Sequence, residues 1–177
     1  MTPLALVLLV VSVGLAAALV AVVVPRRRRP PRRPPVLAGA RRILVPFAGA
    51  LDPAVLEAAI RIAHAEGAVL VPAYLLVVPL QYSEDSARRD QVAIAMPLLE
   101  AVELAALRAG VPVDARIEKG RTLTHALQRL WAAERFSRIV APAPTNGHGG
   151  FTEKDLAWLL THAPTETLVL KPMPPPP

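Results

Sequence analysis

No cysteine occurs in the 177 residues, which excludes disulfides, thiolate catalysis and cysteine-based metal sites. Acid is missing from the first 42 residues, where eight arginines stand: Arg26, Arg27, Arg28, Arg29, Arg32, Arg33, Arg41 and Arg42. The whole chain has 20 Lys+Arg and 14 Asp+Glu. From Ile43 onward 12 bases therefore face 14 acids, a net charge of −2. The basic balance belongs to one segment, and a nucleic-acid-binding face on the folded part is not supported. His64, His125, His148 and His162 are scattered and none has HExxH spacing. No nucleophile, base and orienting group form a readable set, and no enzyme activity is expected.

Charge is also missing from Leu4 to Val24, 21 residues with nothing more polar than Ser12. As a helix this run would be roughly 31 Å long, against a hydrocarbon core of about 30 Å. A cleaved signal peptide wants a basic start, a shorter apolar core and a small-residue cleavage site. This run ends Val22-Val23-Val24-Pro25 and has no basic start. A single-pass membrane anchor at 1–24 is the expectation, with a cleaved signal as the alternative. Arginine lies wholly on its C-terminal side, so the N-terminus should face out and the domain should be cytoplasmic.

Residues 25–41 read as an Arg/Pro-rich juxtamembrane linker. Pro25 to Pro35, PRRRRPPRRPP, forbids a helix and favours polyproline II, about 34 Å if fully extended. Arg26–Arg33 fits contact with anionic lipid beside the span; nucleic-acid binding or sorting are the other uses of such a run.

What remains, near 135 residues, suits one domain, at 42–171. Its organising stretch is Arg42 to Pro79. Ile43-Leu44-Val45-Pro46-Phe47 reads as a buried strand. Asp52 is placed to cap a helix, Pro53 fits its first position, and Leu51 can staple onto Leu56. Val55, Leu56, Ala59, Ile60 and Ala63 keep helical spacing, Gly67 suits a C-terminal cap, and Ala68 to Val78 is a second strand. The unit is βαβ.

A long helix is expected from Ser86 to Ala109, with Val92, Met96, Leu99, Val102 and Leu107 available to a core and Pro97 kinking or splitting it. Val111 to Ile117 reads as a third strand. A third helix covers Gly120 to Glu134, with Leu123, Leu127, Leu130 and Trp131 on one side. Ile139-Val140-Ala141 centres a fourth strand. A glycine-rich loop, Thr145 to Gly150, leads to a helix at Thr152 to His162. Thr167 to Leu170 is a fifth strand, and 172–177 is a proline-rich tail, disordered from Pro174 to Pro177. The alternation specifies an α/β fold: one doubly wound, five-stranded parallel sheet, Rossmann-like, plus the N-terminal transmembrane helix.

In the order and spacing of these pieces the chain resembles the universal stress proteins, over Arg42 to Lys171. The resemblance rests on Ile43-Leu44-Val45-Pro46, the AAIRIAHAEGAVLV helix-to-strand step and GVPVDARIEKG. Arg138-Ile139-Val140-Ala141-Pro142-Ala143-Pro144, His162-Ala163-Pro164 and Leu168-Val169-Leu170 complete it. It implies a homodimer formed through the last strand, and ATP bound at the carboxyl ends of the first and fourth strands. Nucleotide-binding members carry Asp-Gly-Ser after the first strand. Here Ala48-Gly49-Ala50 stands instead, without carboxylate or hydroxyl. Those members also carry Gly-x-x-Gly, nine residues and Gly-Ser/Thr. Gly147 and Gly150 are present, but Leu160-Thr161 occupies the second half.

A helix start can receive an anion on its free amides. Here Thr152 with Asp155 makes a capping box, weak by sequence, and Phe151 can staple to Leu156. Glu153 and Asp155 in the first turn would repel a phosphate. Glu118 to Thr122 could approach an anion, but Lys119 and Arg121 are expected to be solvated, with Thr122 capping. Trp131 and Trp158 are expected to pack in a core or interface, and Trp158-Leu159-Leu160 could form an apolar contact surface near the nucleotide crevice. The expectation is a non-enzymatic tethered domain that acts through an unidentified protein partner and has lost its cofactor. The alternative is an ATP/ADP sensor using Gly49, Asn146, Gly147, His148 and Gly150.

Overall fold

The computed structural model describes residues 40–82, 89–144 and 150–171, with the side chains of 89–91 left out. By internal contacts the chain divides between Pro35 and Val36, and the fold described here is that of the second unit. The transmembrane and linker expectations, and the tail, lie outside the described residues.

Among the described residues five strands and four helices alternate: β1 Arg42–Phe47, α1 Pro53–Glu66, β2 Val69–Val77, α2 Arg89–Arg108, β3 Arg116–Gly120, α3 Leu123–Ala133, β4 Arg138–Pro142, α4 Glu153–His162 and β5 Glu166–Leu170. Every pairing is parallel and the order is β3-β2-β1-β4-β5. The doubly wound five-stranded sheet is as expected.

Local chemistry sets the first unit. The Asp52 carboxylate accepts from the amides of Ala54 (2.8 Å) and Val55 (3.4 Å), and Pro53 opens α1. Gly67 ends the helix at φ 59°, a left-handed turn that glycine makes without a Cβ penalty.

Alternation along β1 then divides the core. Ile43 and Val45 pack with Val55, Ala59, Ile60 and Ala63 of α1 and Val102 and Ala106 of α2. Leu44, on the other face, joins Ala126, Leu127 and Leu130 of α3 and Leu159 of α4. Phe47 meets Tyr74 edge-on, 5.5 Å between ring centres, beside Ala95 and Leu99.

One expectation is narrowed and two are corrected. Pro97 does not split α2: it is exposed, so the carbonyl it leaves without an N–H can turn to water. Leu107 is 73 % exposed and gives no core contact; Ala106 takes that place. The third strand begins at Arg116, not Val111, because the earlier residues touch β2 only through the single bridge from Leu70 to Val113.

An ion network ties the amino ends of the strands. Arg42, its side chain 8 % exposed, pairs with Asp114, which also takes Arg116 at 2.6 Å. Arg116 meets Glu134 at 2.9 Å. Burial alone would push the Asp114 carboxyl up. The hydrogen bonds and charges of Arg116 and Arg42 outweigh it and hold the carboxyl below its ordinary range. On the other side Arg138 binds Glu66 and Glu166, joining β4 to α1 and β5.

Candidate functional site

Strand order reverses between β1 and β4, the position at which open α/β sheets form a crevice. The register explains the opening. β1 pairs with β4 only at Ile43–Arg138 and Leu44–Ile139. Beyond them Pro46 has no N–H to offer, and the ladder between the two strands stops.

After these strands two loops approach closely. Gly150, at φ 70°, lies against Ala48. A Cβ there would fall 2.0 Å from the Ala48 carbonyl oxygen and 2.6 Å from its Cβ. No side chain fits at 150 without displacing one loop or the other. An aspartate at 48 would have to find room beside the same glycine.

The start of α4 is likewise occupied by its own residues. Asp155 N donates to Thr152 Oγ1 at 3.2 Å, and Thr152 N and Oγ1 donate to Asp155 Oδ2 at 3.1 and 2.7 Å. The capping box, weak by sequence, is complete. Phe151 is buried with Leu156 packed on the same cluster, as the staple requires. The carboxylates of Glu153 and Asp155 stand in the first turn, where the helix dipole favours them and where they oppose an incoming anion.

The predicted site residues thus separate. Gly150 is at the gap. Gly49 is exposed at φ 77° with open space where a Cβ would be, so it serves the turn and no close approach. Asn146, Gly147 and His148 lie outside the described residues.

At the far side of the sheet, Glu118 to Gly120 belong to β3 itself. Arg121 is not simply solvated: its Nη1 donates to the carbonyls of Pro79 (2.8 Å), Tyr82 (2.9 Å) and Val78 (3.3 Å), clamping the loop after β2. His125 Nδ1 accepts from Arg121 N at 3.3 Å, and Thr122 caps α3 as expected. A lone arginine after a strand carries no signal that would have revealed this clamp. Among the described residues no three His, Cys, Asp or Glu gather to hold a metal, and no helix is long and apolar enough to cross a membrane.

The tryptophans pack against the core as expected, but the surface they share is not near the crevice. Trp131 and Trp158 stack at 5.6 Å and 12°, and His162 continues the row at 4.7 Å from Trp158. Trp131 and His162 sit at the ends of α3 and α4 that lead into β4 and β5, so the row lies toward the amino edge, opposite the crevice. Beside it is a depression of about 340 Å³ lined by Trp131, Glu134, Arg135, Phe136 and Pro164.

No protein-family model matches this sequence, and no curated protein does. Solved structures do. A universal stress protein from Archaeoglobus fulgidus superposes with a TM-score of 0.57 at 12 % identity, covering 73 % of this chain and 97 % of that one. A universal stress protein in complex with cAMP gives 0.55 at 18 %, covering 73 % and 96 %. A protein of the universal stress protein family from Burkholderia pseudomallei gives 0.50 at 23 %, covering 72 % and 94 %. The described domain has the universal stress protein fold.

Proposed function

We propose that this chain presents a universal-stress-like domain at the cytoplasmic face of a membrane, works there in a stress-related role through protein contacts, catalyses nothing and has given up nucleotide binding. The observation that carries the reading is the close seating of Gly150 on Ala48, which leaves no room for a side chain at 150 beside the loop that follows β1. The self-capped start of α4, with two carboxylates in its first turn, supports it. Tethering rests on Leu4–Val24 and anionic-lipid contact on Arg26–Arg33. A homodimer would form by pairing β5 edges, since β5 is bonded to β4 alone.

A second reading has one observation in its favour: a protein of the same fold was solved in complex with cAMP. On that reading the domain senses nucleotide through an altered loop at Asn146–Gly150. Thermal unfolding of the full chain separates the two, because a ligand of the native state raises Tm with concentration. The contact reading expects no shift with Mg-ATP, ADP or cAMP. A shift that grows with any of them makes the sensor reading the better one.

A further inference from the structure

We propose that the outer face of α2 is a self-docking surface, on which a second copy of this chain lays its own α2 antiparallel. Most of that face is apolar. Ala93, Ile94, Pro97, Ala101, Leu104 and Leu107 are all exposed, while Leu99, Val102 and Ala106 enter the core from the opposite side. An apolar stripe turned away from the core marks a contact surface. Within it Glu100, Leu104 and Arg108 follow at four-residue steps and are all exposed. They form one ridge, with acid, leucine and base in order. Beside that ridge Pro97 and Ala101 form a lower one of short side chains, which leaves a groove.

The charges select the occupant. On α1, Glu57 and Arg61 stand four residues apart and pair with each other. Glu100 and Arg108 stand eight apart, about 12 Å along the helix, and neither has a partner among the described residues. When two helices cross at about −50°, the four-step ridges of one lie along the grooves of the other. A two-fold axis runs the ridge of one copy antiparallel to that of the second. Leu104 of each copy then reaches Ala101 of the other, and Glu100 of each meets Arg108 of the other. The ridge is its own complement, so no second kind of protein is required. An anionic membrane surface, by contrast, would be repelled by Glu100 and Glu103. Exposed ion pairs add little affinity; here they fix the register while the apolar residues supply the attraction. The contact is separate from edge pairing, because α2 packs on β2 whereas β5 is the far edge beyond β1 and β4.

The chain has no cysteine, so a single introduced thiol reports on one position. Full chains carrying Leu104→Cys or Leu107→Cys are oxidised mildly, and disulfide-linked dimers are followed with time. Leu107 is the more exposed, at 73 % against 48 %, so random collision favours it. The expected result is the reverse: Leu104→Cys pairs with its own copy about tenfold faster, since docking raises the local thiol concentration. Adding Glu100→Arg to the Leu104→Cys chain should slow pairing roughly fivefold by setting like charges face to face. Adding Arg108→Glu as well should restore the rate. All these positions are exposed, and circular dichroism checks that each variant is folded. Equal rates at 104 and 107, or a charge reversal that has no effect or is not rescued, overturns the self-docked helix.

Discussion

Gly150 rests on Ala48 so closely that a single methyl group at 150 would enter the Ala48 carbonyl. Two loops that follow different strands of the sheet are thereby held together at the switch point. Replacing Gly150 by alanine adds that collision to the strain of a side chain at φ 70°. Gly150→Ala should lower unfolding stability by about 1–3 kcal/mol. Gly49→Ala, with the same sign of φ but open space, should cost less, since only conformational strain remains. Urea denaturation of both variants checks the order.

Asp114 sits between two guanidinium groups, and removing it leaves both with Glu134 as the carboxylate they share. Asp114→Ala should cost about 3 kcal/mol, the usual scale for breaking a buried pair from one side. The pH dependence has a definite sign. Because the folded carboxyl titrates below its unfolded value near 3.9, its contribution is present above that pH and is lost as pH falls further. Acid unfolding of the wild type should therefore contain a component below about pH 4 that Asp114→Asn lacks.

The Arg121 clamp on the carbonyls of Pro79 and Tyr82 predicts a local effect. Arg121→Met should speed hydrogen exchange in residues 79–82 while leaving exchange in β1 unchanged. Faster exchange throughout the sheet would instead mean that the clamp holds the whole fold.

Helix α2 allows a comparison along one element. Leu99→Ala should cost about 2–5 kcal/mol, because its side chain is 5 % exposed in the core. Leu107→Gln, at 73 % exposure, should stay within about 0.5 kcal/mol. Thermal denaturation decides it.

Local signals carried most of the architecture into the sequence. Asp52, Pro53 and Gly67 mark the ends of α1 by chemistry that acts over three or four residues, and those ends are where the sequence places them. Leu107 keeps an apolar character that suggests burial, yet periodicity alone cannot say which edge of an apolar stripe meets the sheet. The late start of β3 depends on which residues of β2 are within reach, a tertiary fact. At the site, the missing carboxylate at Ala48 was legible as a residue type. That Gly150 would occupy the adjoining space was not, because glycine spacing records flexibility and not what the backbone touches. The Trp131–Trp158–His162 row crosses two helices and has no sequence period to announce it.

The central claim is that the switch-point crevice no longer holds a nucleotide. Calorimetric titration of the full chain with Mg-ATP tests it most directly, with ADP and cAMP as parallel ligands. The account predicts no binding heat up to millimolar ligand. Saturable micromolar binding, abolished by Gly150→Ala in a variant that still folds, would contradict it and return the site to nucleotide sensing.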